Sequence, residues 1–152
     1  MKFLIFGHKG WIGSMIIKLL EKQNINFVCA KSRAENKNAV EEEILLVKPT
    51  HVMSFIGRTH GTTEDGTKYT TIDYLEQKGK IKENVRDNLF APMVLGLLCK
   101  KHNIHFTYLG TGCIFKYDEK HLFGDESTGF LESDLPNFFE SSYSTVKGYT
   151  DQ

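Results

Sequence analysis

Short apolar runs alternating with helically spaced apolar residues, a three-glycine turn after the first run, and a tyrosine–lysine pair near the end together predict an α/β fold, a doubly wound parallel sheet of the Rossmann type. The 152 residues suffice for one such domain with its own core, and are too few for that sheet plus a separate substrate domain. Residues 2–6 (KFLIF) form the first strand, and Ile12, Ile16, Leu19 and Leu20 then recur at helical spacing. A second extended run covers 25–29, followed by Ala39, Ile44, Leu45 and Val47 in a helix closed by Pro49. Residues 51–57 make a third strand, so the opening reads as two βα units feeding a third strand, which implies right-handed crossovers. The Gly-, Thr- and charge-rich stretch 58–80 is expected as a loop over the carboxyl edge of the sheet, with a short helix near Tyr74. A long helix over 81–101 should bury Val85, Leu89, Met93, Leu97 and Leu98, and Pro92 should kink or restart it. Residues 104–109 make the next strand, about 30 residues of surface loop follow, and a last helix begins near Ser141. The strands that would complete a family-sized sheet are missing, so the whole chain, 1–152, is expected to be a nucleotide-binding domain truncated before its last strands.

Bulk composition excludes several classes of function. With 19 basic against 19 acidic residues and no basic tract interleaved with aromatics, nothing attracts a nucleic acid. The N-terminal run MKFLIFG meets glycine too soon for a secretory or membrane-spanning segment, which leaves a soluble, cytoplasmic protein as the expectation. Cys29, Cys99 and Cys113 lack the spacing of a disulfide framework or a zinc site, and the histidines are too scattered for a metal to be called for.

The glycine turn GHKGWIG places Gly7, Gly10 and Gly13 between strand and helix, with Lys9, Trp11 and Ile12 in the same turn. Glycine permits the tight turn at the first position, close backbone approach to a pyrophosphate at the second, and helix–strand packing at the third; the helix N-terminus then faces the phosphates. After the second strand no acid appears until Glu35. Ser32 and Arg33 stand there instead, which favours a 2′-phosphate and hence NADP(H), with Lys9 assisting. Tyr143 and Lys147, four apart, share a helix face. A phenol beside an ammonium can protonate a ketone oxygen during hydride addition, and the lysine can also hold the nicotinamide ribose. Thr111 lies at the carboxyl end of a strand, where active sites of open α/β sheets sit, and could hydrogen-bond the carbonyl or the tyrosine. Cys113, two residues on, is equally readable as an acid/base thiol or as a buried structural cysteine.

The linked motifs GHKGWIG (7–13), SRAENKN (32–38), KPTHVMSFIGRTHG (48–61), TGCIFKYD (111–118), GFLESDLPNFF (129–139) and YSTVK (143–147) resemble the bifunctional 3,5-epimerase/4-keto-reductases of UDP-L-rhamnose synthesis in plants and giant viruses. These belong to the extended short-chain dehydrogenase/reductases, and the resemblance is to their N-terminal half. It implies that the full-length enzyme inverts C3 and C5 of a UDP-linked 4-keto-6-deoxy-hexose and reduces C4 with NADPH. It also implies roles by position: Gly57, Arg58 and Thr59 near the nicotinamide and sugar, Asn84 steadying the backbone beside the cofactor, Thr111, Tyr143 and Lys147 as the reductase triad, and Cys113 as the epimerase acid/base. A homodimer is compatible with it, and this chain alone is expected to bind cofactor without turnover. The rival readings are a 4-keto-reductase without epimerase action, resembling dTDP-4-dehydrorhamnose reductase, a non-catalytic nucleotide-binding subunit, and, last, a structural interaction domain.

Overall fold

A computed structural model describes residues 1–152. Four parallel strands, β1 (Phe3–Phe6), β2 (Phe27–Cys29), β3 (His51–Ser54) and β6 (His105–Tyr108), pair in the order β2-β1-β3-β6. Helices α1 (Trp11–Lys22), α2 (Lys37–Val47) and α4 (Ala91–Lys101) connect them, and α5 (Ser142–Asp151) follows the last strand. The expected Rossmann-type α/β sheet is therefore present. Leu4, Phe6 and Val52 project from one face of the sheet into a core completed by Val40 and Ile44 of α2 and Val94, Leu95, Leu98 and Cys99 of α4. Side chains alternate along a strand, so the fully buried Ile5 shows that the opposite face of β1 is covered as well. On that opposite face Phe3, His51 and His105 are in register across three strands, with ring centroids 4.9 and 5.3 Å apart.

Strand ends are trimmed for identifiable reasons. β2 is predicted from residue 25, but the Ile25 amide donates to the Leu20 carbonyl and so closes α1 rather than pairing with β1. β3 ends at Ser54; the chain then continues extended as far as Phe55, whose amide donates to Phe6. Within the loop 58–80 the structure forms an unexpected hairpin of β4 (Gly61–Thr62) and β5 (Lys68–Tyr69), and the helix near Tyr74 is the 3₁₀ turn Ile72–Glu76.

The long helix departs most from expectation. It runs as α3 (Ile81–Val85), a π-turn over Arg86–Phe90, then α4. The extra residue of a π-turn rotates the succeeding helical turns out of phase. Only Leu98 of the expected apolar stripe is fully buried, while Val85, Met93 and Leu97 are exposed. Buried instead are Asn84, Asp87, Asn88, Ala91, Pro92, Val94 and Leu95. Pro92 falls in the first turn of α4 and has no N–H for the Asn88 carbonyl four residues earlier. The Thr150 hydroxyl of α5 donates to that carbonyl at 2.6 Å, so the helix break becomes a docking point for the last helix. α1 also buries less than its periodicity suggests: Gly13 and Leu20 are inside, while Ile12 and Leu19 are largely exposed.

The glycine turn is held by close backbone contact. Gly7 has φ +76°, and a Cβ there would lie 2.7 Å from the Phe55 carbonyl carbon, while a Cβ on Gly13 would lie 2.2 Å from the Gly7 oxygen. Gly13→Ala must therefore move backbone, and is expected to destabilise the chain by about 2–3 kcal/mol. Gly112→Ala, whose Cβ meets nothing within 4 Å, should stay within about 0.5 kcal/mol of the parent. Urea unfolding of both variants compares them, and equal midpoints would refute the packing role of Gly13.

Candidate active site

A groove of about 400 Å³ opens beyond the carboxyl ends of β1, β2 and β3. It is lined by the glycine turn (Gly7, His8, Lys9, Gly10), by the turn after β2 (Ser32 to Glu35), and by Gly57, Arg58 and His60 after β3. The structure thus brings together Gly7, Lys9, Gly10, Ser32, Arg33, Gly57 and Arg58 from the sequence expectation. Gly13 lies directly beneath, against the Gly7 carbonyl. Trp11, 80% exposed, and Ile12, 39% exposed, are not among the groove's lining residues, so the structure does not bring these two expected residues to it. Thr59 directs its hydroxyl to the neighbouring His60 ring at 3.2 Å.

Two polar arrangements shape this groove and were not read from sequence. Glu43 of α2 accepts the amides of Lys31 and Ser32 and the Ser32 hydroxyl, at 2.8, 2.9 and 2.5 Å. Burial works against the Glu43 charge, but these hydrogen bonds, the Ser32 hydroxyl foremost, outweigh it and hold the carboxyl below its ordinary range. The donors of Ser32 are thereby committed within the protein, which leaves Arg33 as the cation of this turn that lines the groove. Its only ion pair, to Glu35 at 2.9 Å, has an Arg33 side chain 70% exposed and holds it weakly.

The second arrangement fixes Arg58. Asn88 accepts the Arg58 amide at 2.8 Å and donates to the Arg58 carbonyl at 2.9 Å, and Asp87 takes the Arg58 guanidinium at 3.0 Å. Burial opposes the Asp87 charge, yet hydrogen bonds from Arg86 and Arg58 keep it ionised. Asn84, placed by resemblance beside the cofactor, lies outside the groove lining. Its amide donates to the Ser142 hydroxyl and accepts from Asn88, both at 2.9 Å. The four-residue spacing of Asn84 and Asn88 was the available signal for this pair.

The second cluster lies at the end of β6. Thr111 accepts the Cys113 amide at 3.2 Å, and Cys113 is exposed. Tyr143, 7% exposed at the start of α5, is held protonated chiefly by burial; the nearby Thr111 side chain favours its ionised form, and Cys113 acts against it. Thr111, Cys113 and Tyr143 therefore converge. Lys147, one turn on and 4% exposed, directs its ammonium to the Tyr108 hydroxyl and lies 4.4 Å over that ring. Burial lowers its pKa to about 8, with Asp151 opposing. Burial likewise keeps Tyr108 protonated well above its ordinary range. Tyr108 was not singled out from the sequence, where it reads only as a strand residue.

Lys147 supplies a test of this burial. Its folded pKa of about 8 lies below the ordinary 10.5. Between those values the unfolded chain carries the extra proton, so this group adds stability as pH rises and loses it as pH falls through 8. Against Lys147→Met, the parent should gain on the order of 2–3 kcal/mol between pH 7 and pH 10.5. Urea unfolding of both proteins across that interval measures it; a constant difference between them would contradict the burial.

No family model matches the chain. Over 152 residues it is 59% identical to the protein L780 of Acanthamoeba polyphaga mimivirus, covering all of this chain and 50% of that one. The crystal structure of that mimivirus protein, described as a UDP-rhamnose synthase, superposes with a TM-score of 0.88 over 99% of this chain and 50% of the other, at 60% identity. A bifunctional dTDP-4-dehydrorhamnose 3,5-epimerase/dTDP-4-dehydrorhamnose reductase of Arabidopsis thaliana is 33% identical over 99% of this chain and 46% of its own. A dTDP-4-dehydrorhamnose reductase from Clostridium acetobutylicum, 20% identical with a TM-score of 0.75 over 99% of this chain and 48% of its own, shows the shared fold. Similarity to these relatives runs along the whole chain, which spans about half of their own length.

Proposed function

We propose that this chain is the NADP(H)-binding part of an epimerase/reductase that converts a UDP-linked 4-keto-6-deoxy-hexose to UDP-L-rhamnose. The observation that carries the proposal is the convergence of Thr111, Cys113 and Tyr143 at the end of β6, in the same sheet as a glycine-turn groove. Proton-donating groups for a carbonyl have no use in a binding-only subunit.

The groove fits a dinucleotide on its own features. Side chains at Gly7 and Gly13 would fill the turn, α1 has no side-chain cap at its N-terminus, and the His8 Nδ1 is buried without a protein partner. Gly7 and Gly10 with the first amides of α1 would hold the pyrophosphate, and Arg33 with Lys9 the 2′-phosphate. When bound, the reduced nicotinamide supplies a hydride to C4 of the sugar. As the carbonyl electrons move to oxygen, Tyr143 gives that oxygen its proton, and Thr111 holds the phenol in place. The Lys147 ammonium is directed to the Tyr108 hydroxyl rather than to Tyr143, and its part in the reading is to hold the nicotinamide ribose. Inversion at C3 and C5 needs a proton removed from carbon and returned on the opposite face, and the exposed Cys113 thiol stands beside Tyr143 to take part. Cys113 is open to solvent, and a side chain at Gly112 would meet nothing within 4 Å. The 152 residues are read as the cofactor-binding part of such an enzyme. No helix is long and apolar enough to cross a membrane. Homodimerisation is supported by the exposed apolar side chains of Ile81, Val85, Phe90, Met93 and Leu97 along α3, the π-turn and α4.

Two experiments test the reading. In the 152-residue chain, NADPH should bind more tightly than NADH, and Arg33→Ala should remove most of a preference worth about 2 kcal/mol. Fluorescence titration measures both, and equal affinities in the parent would sink the 2′-phosphate assignment. In a chain extended to the length of its relatives, Tyr143→Phe should cut NADPH consumption by about 100-fold or more while solvent deuterium still enters C3 or C5. Cys113→Ala should do the reverse with an already epimerised sugar. Undiminished exchange in Cys113→Ala would leave a simple 4-keto-reductase.

A further inference from the structure

We propose that Glu76 is a positioning residue for Tyr143, its carboxylate gripping the first turn of α5 and so fixing where the phenol stands. The role in reduction rests on the function proposed above; the grip itself does not. The first turn of a helix leaves its amides without intrahelical acceptors. In α5 these amides are satisfied from two sources. Ser141, the residue before the helix, accepts the Ser144 amide at 3.0 Å, which is a local contact. Glu76, 66 and 67 residues upstream, accepts the amides of Ser142 and Tyr143 at 3.0 and 3.1 Å, one on each carboxylate oxygen. A negative charge at this end of a helix is also favoured by the aligned peptide dipoles.

What makes this grip informative is that Glu76 is itself anchored. It ends the 3₁₀ turn Ile72–Glu76, whose Tyr74 and Leu75 are buried in a small cluster with Tyr143. The Tyr74 hydroxyl donates to both oxygens of Glu83 on α3, at 3.1 and 2.9 Å, and Lys80 pairs with the same carboxylate at 3.1 Å. A second tie, from Asn84 to the Ser142 hydroxyl, reaches the same helical turn. Tyr143 is the second residue of α5 and lies within the segment that frays first when a cap is lost. Its acidity depends on burial and on the contact with Thr111, so a loosened first turn alters both the position and the titration of the phenol.

The test has two arms. In the 152-residue chain, Glu76→Ala should speed hydrogen exchange at the Ser142 and Tyr143 amides by about 10-fold or more, while amides later in α5 keep their rates. In the extended chain, Glu76→Ala should lower kcat for reduction about 10- to 100-fold, the scale expected for a misplaced reacting group. Glu76→Gln, which keeps one acceptor oxygen, should fall between it and the parent. NADPH affinity should stay within about twofold, because the groove is elsewhere, and the limb of the pH profile that Tyr143 governs should move. Unchanged exchange at both amides, or a Glu76→Ala kcat within twofold of the parent, would overturn the proposal. So would losses of kcat and NADPH affinity in equal measure, which would mark general damage. If the parent extended chain shows no turnover, the functional reading fails and the amide exchange alone decides the grip.

Discussion

The buried amides of Asn84 and Asn88 are the joint on which the two halves of the site depend. Asn88 pairs with both backbone groups of Arg58 at the rim of the groove, Asn84 holds Ser142 at the start of α5, and the two side chains bond each other. Both are fully buried, so each unpaired polar atom would cost about 1–3 kcal/mol. Satisfied throughout, such a network is stiff and admits one arrangement. The break ahead of Pro92 adds a third tie, from Thr150 to the Asn88 carbonyl. Groove and last helix are thus oriented by one five-residue stretch of an interrupted helix.

Electrostatics within the second cluster follow from the same closure. Packing α5 against this helix and the 3₁₀ turn buries Tyr143 and Lys147 together, which keeps the phenol protonated and makes the ammonium release its proton more readily than in water.

Much of this was legible in the residues. The glycine turn was readable because only glycine tolerates the 2.2 and 2.7 Å approaches found there. The strand-end placement of Thr111 and the Tyr143/Lys147 spacing were readable because both follow from element geometry alone. The helical stripe of Val85, Met93 and Leu97 misled because a π-turn, which periodicity assumes away, carried polar residues inward. Ser32 looked like a phosphate ligand because nothing in its neighbourhood of the sequence announces Glu43, eleven residues on, as the acceptor of its hydrogen bonds. Glu76 was invisible for a similar reason: a carboxylate that caps a helix 66 residues away leaves no local mark.

The strand order carries a consequence for the chain as it leaves the ribosome. β1, β2 and β3 pair among themselves within the first 54 residues, and the groove draws its last lining residue from Ala91. The cluster of Thr111, Cys113 and Tyr143 is not assembled until α5, ending at Asp151, has emerged. A ligand of the groove has its lining complete about 60 residues earlier in synthesis, and a ligand that binds only the folded form stabilises it by mass action. Whatever fills the groove would then act first as a folding template for the nascent chain.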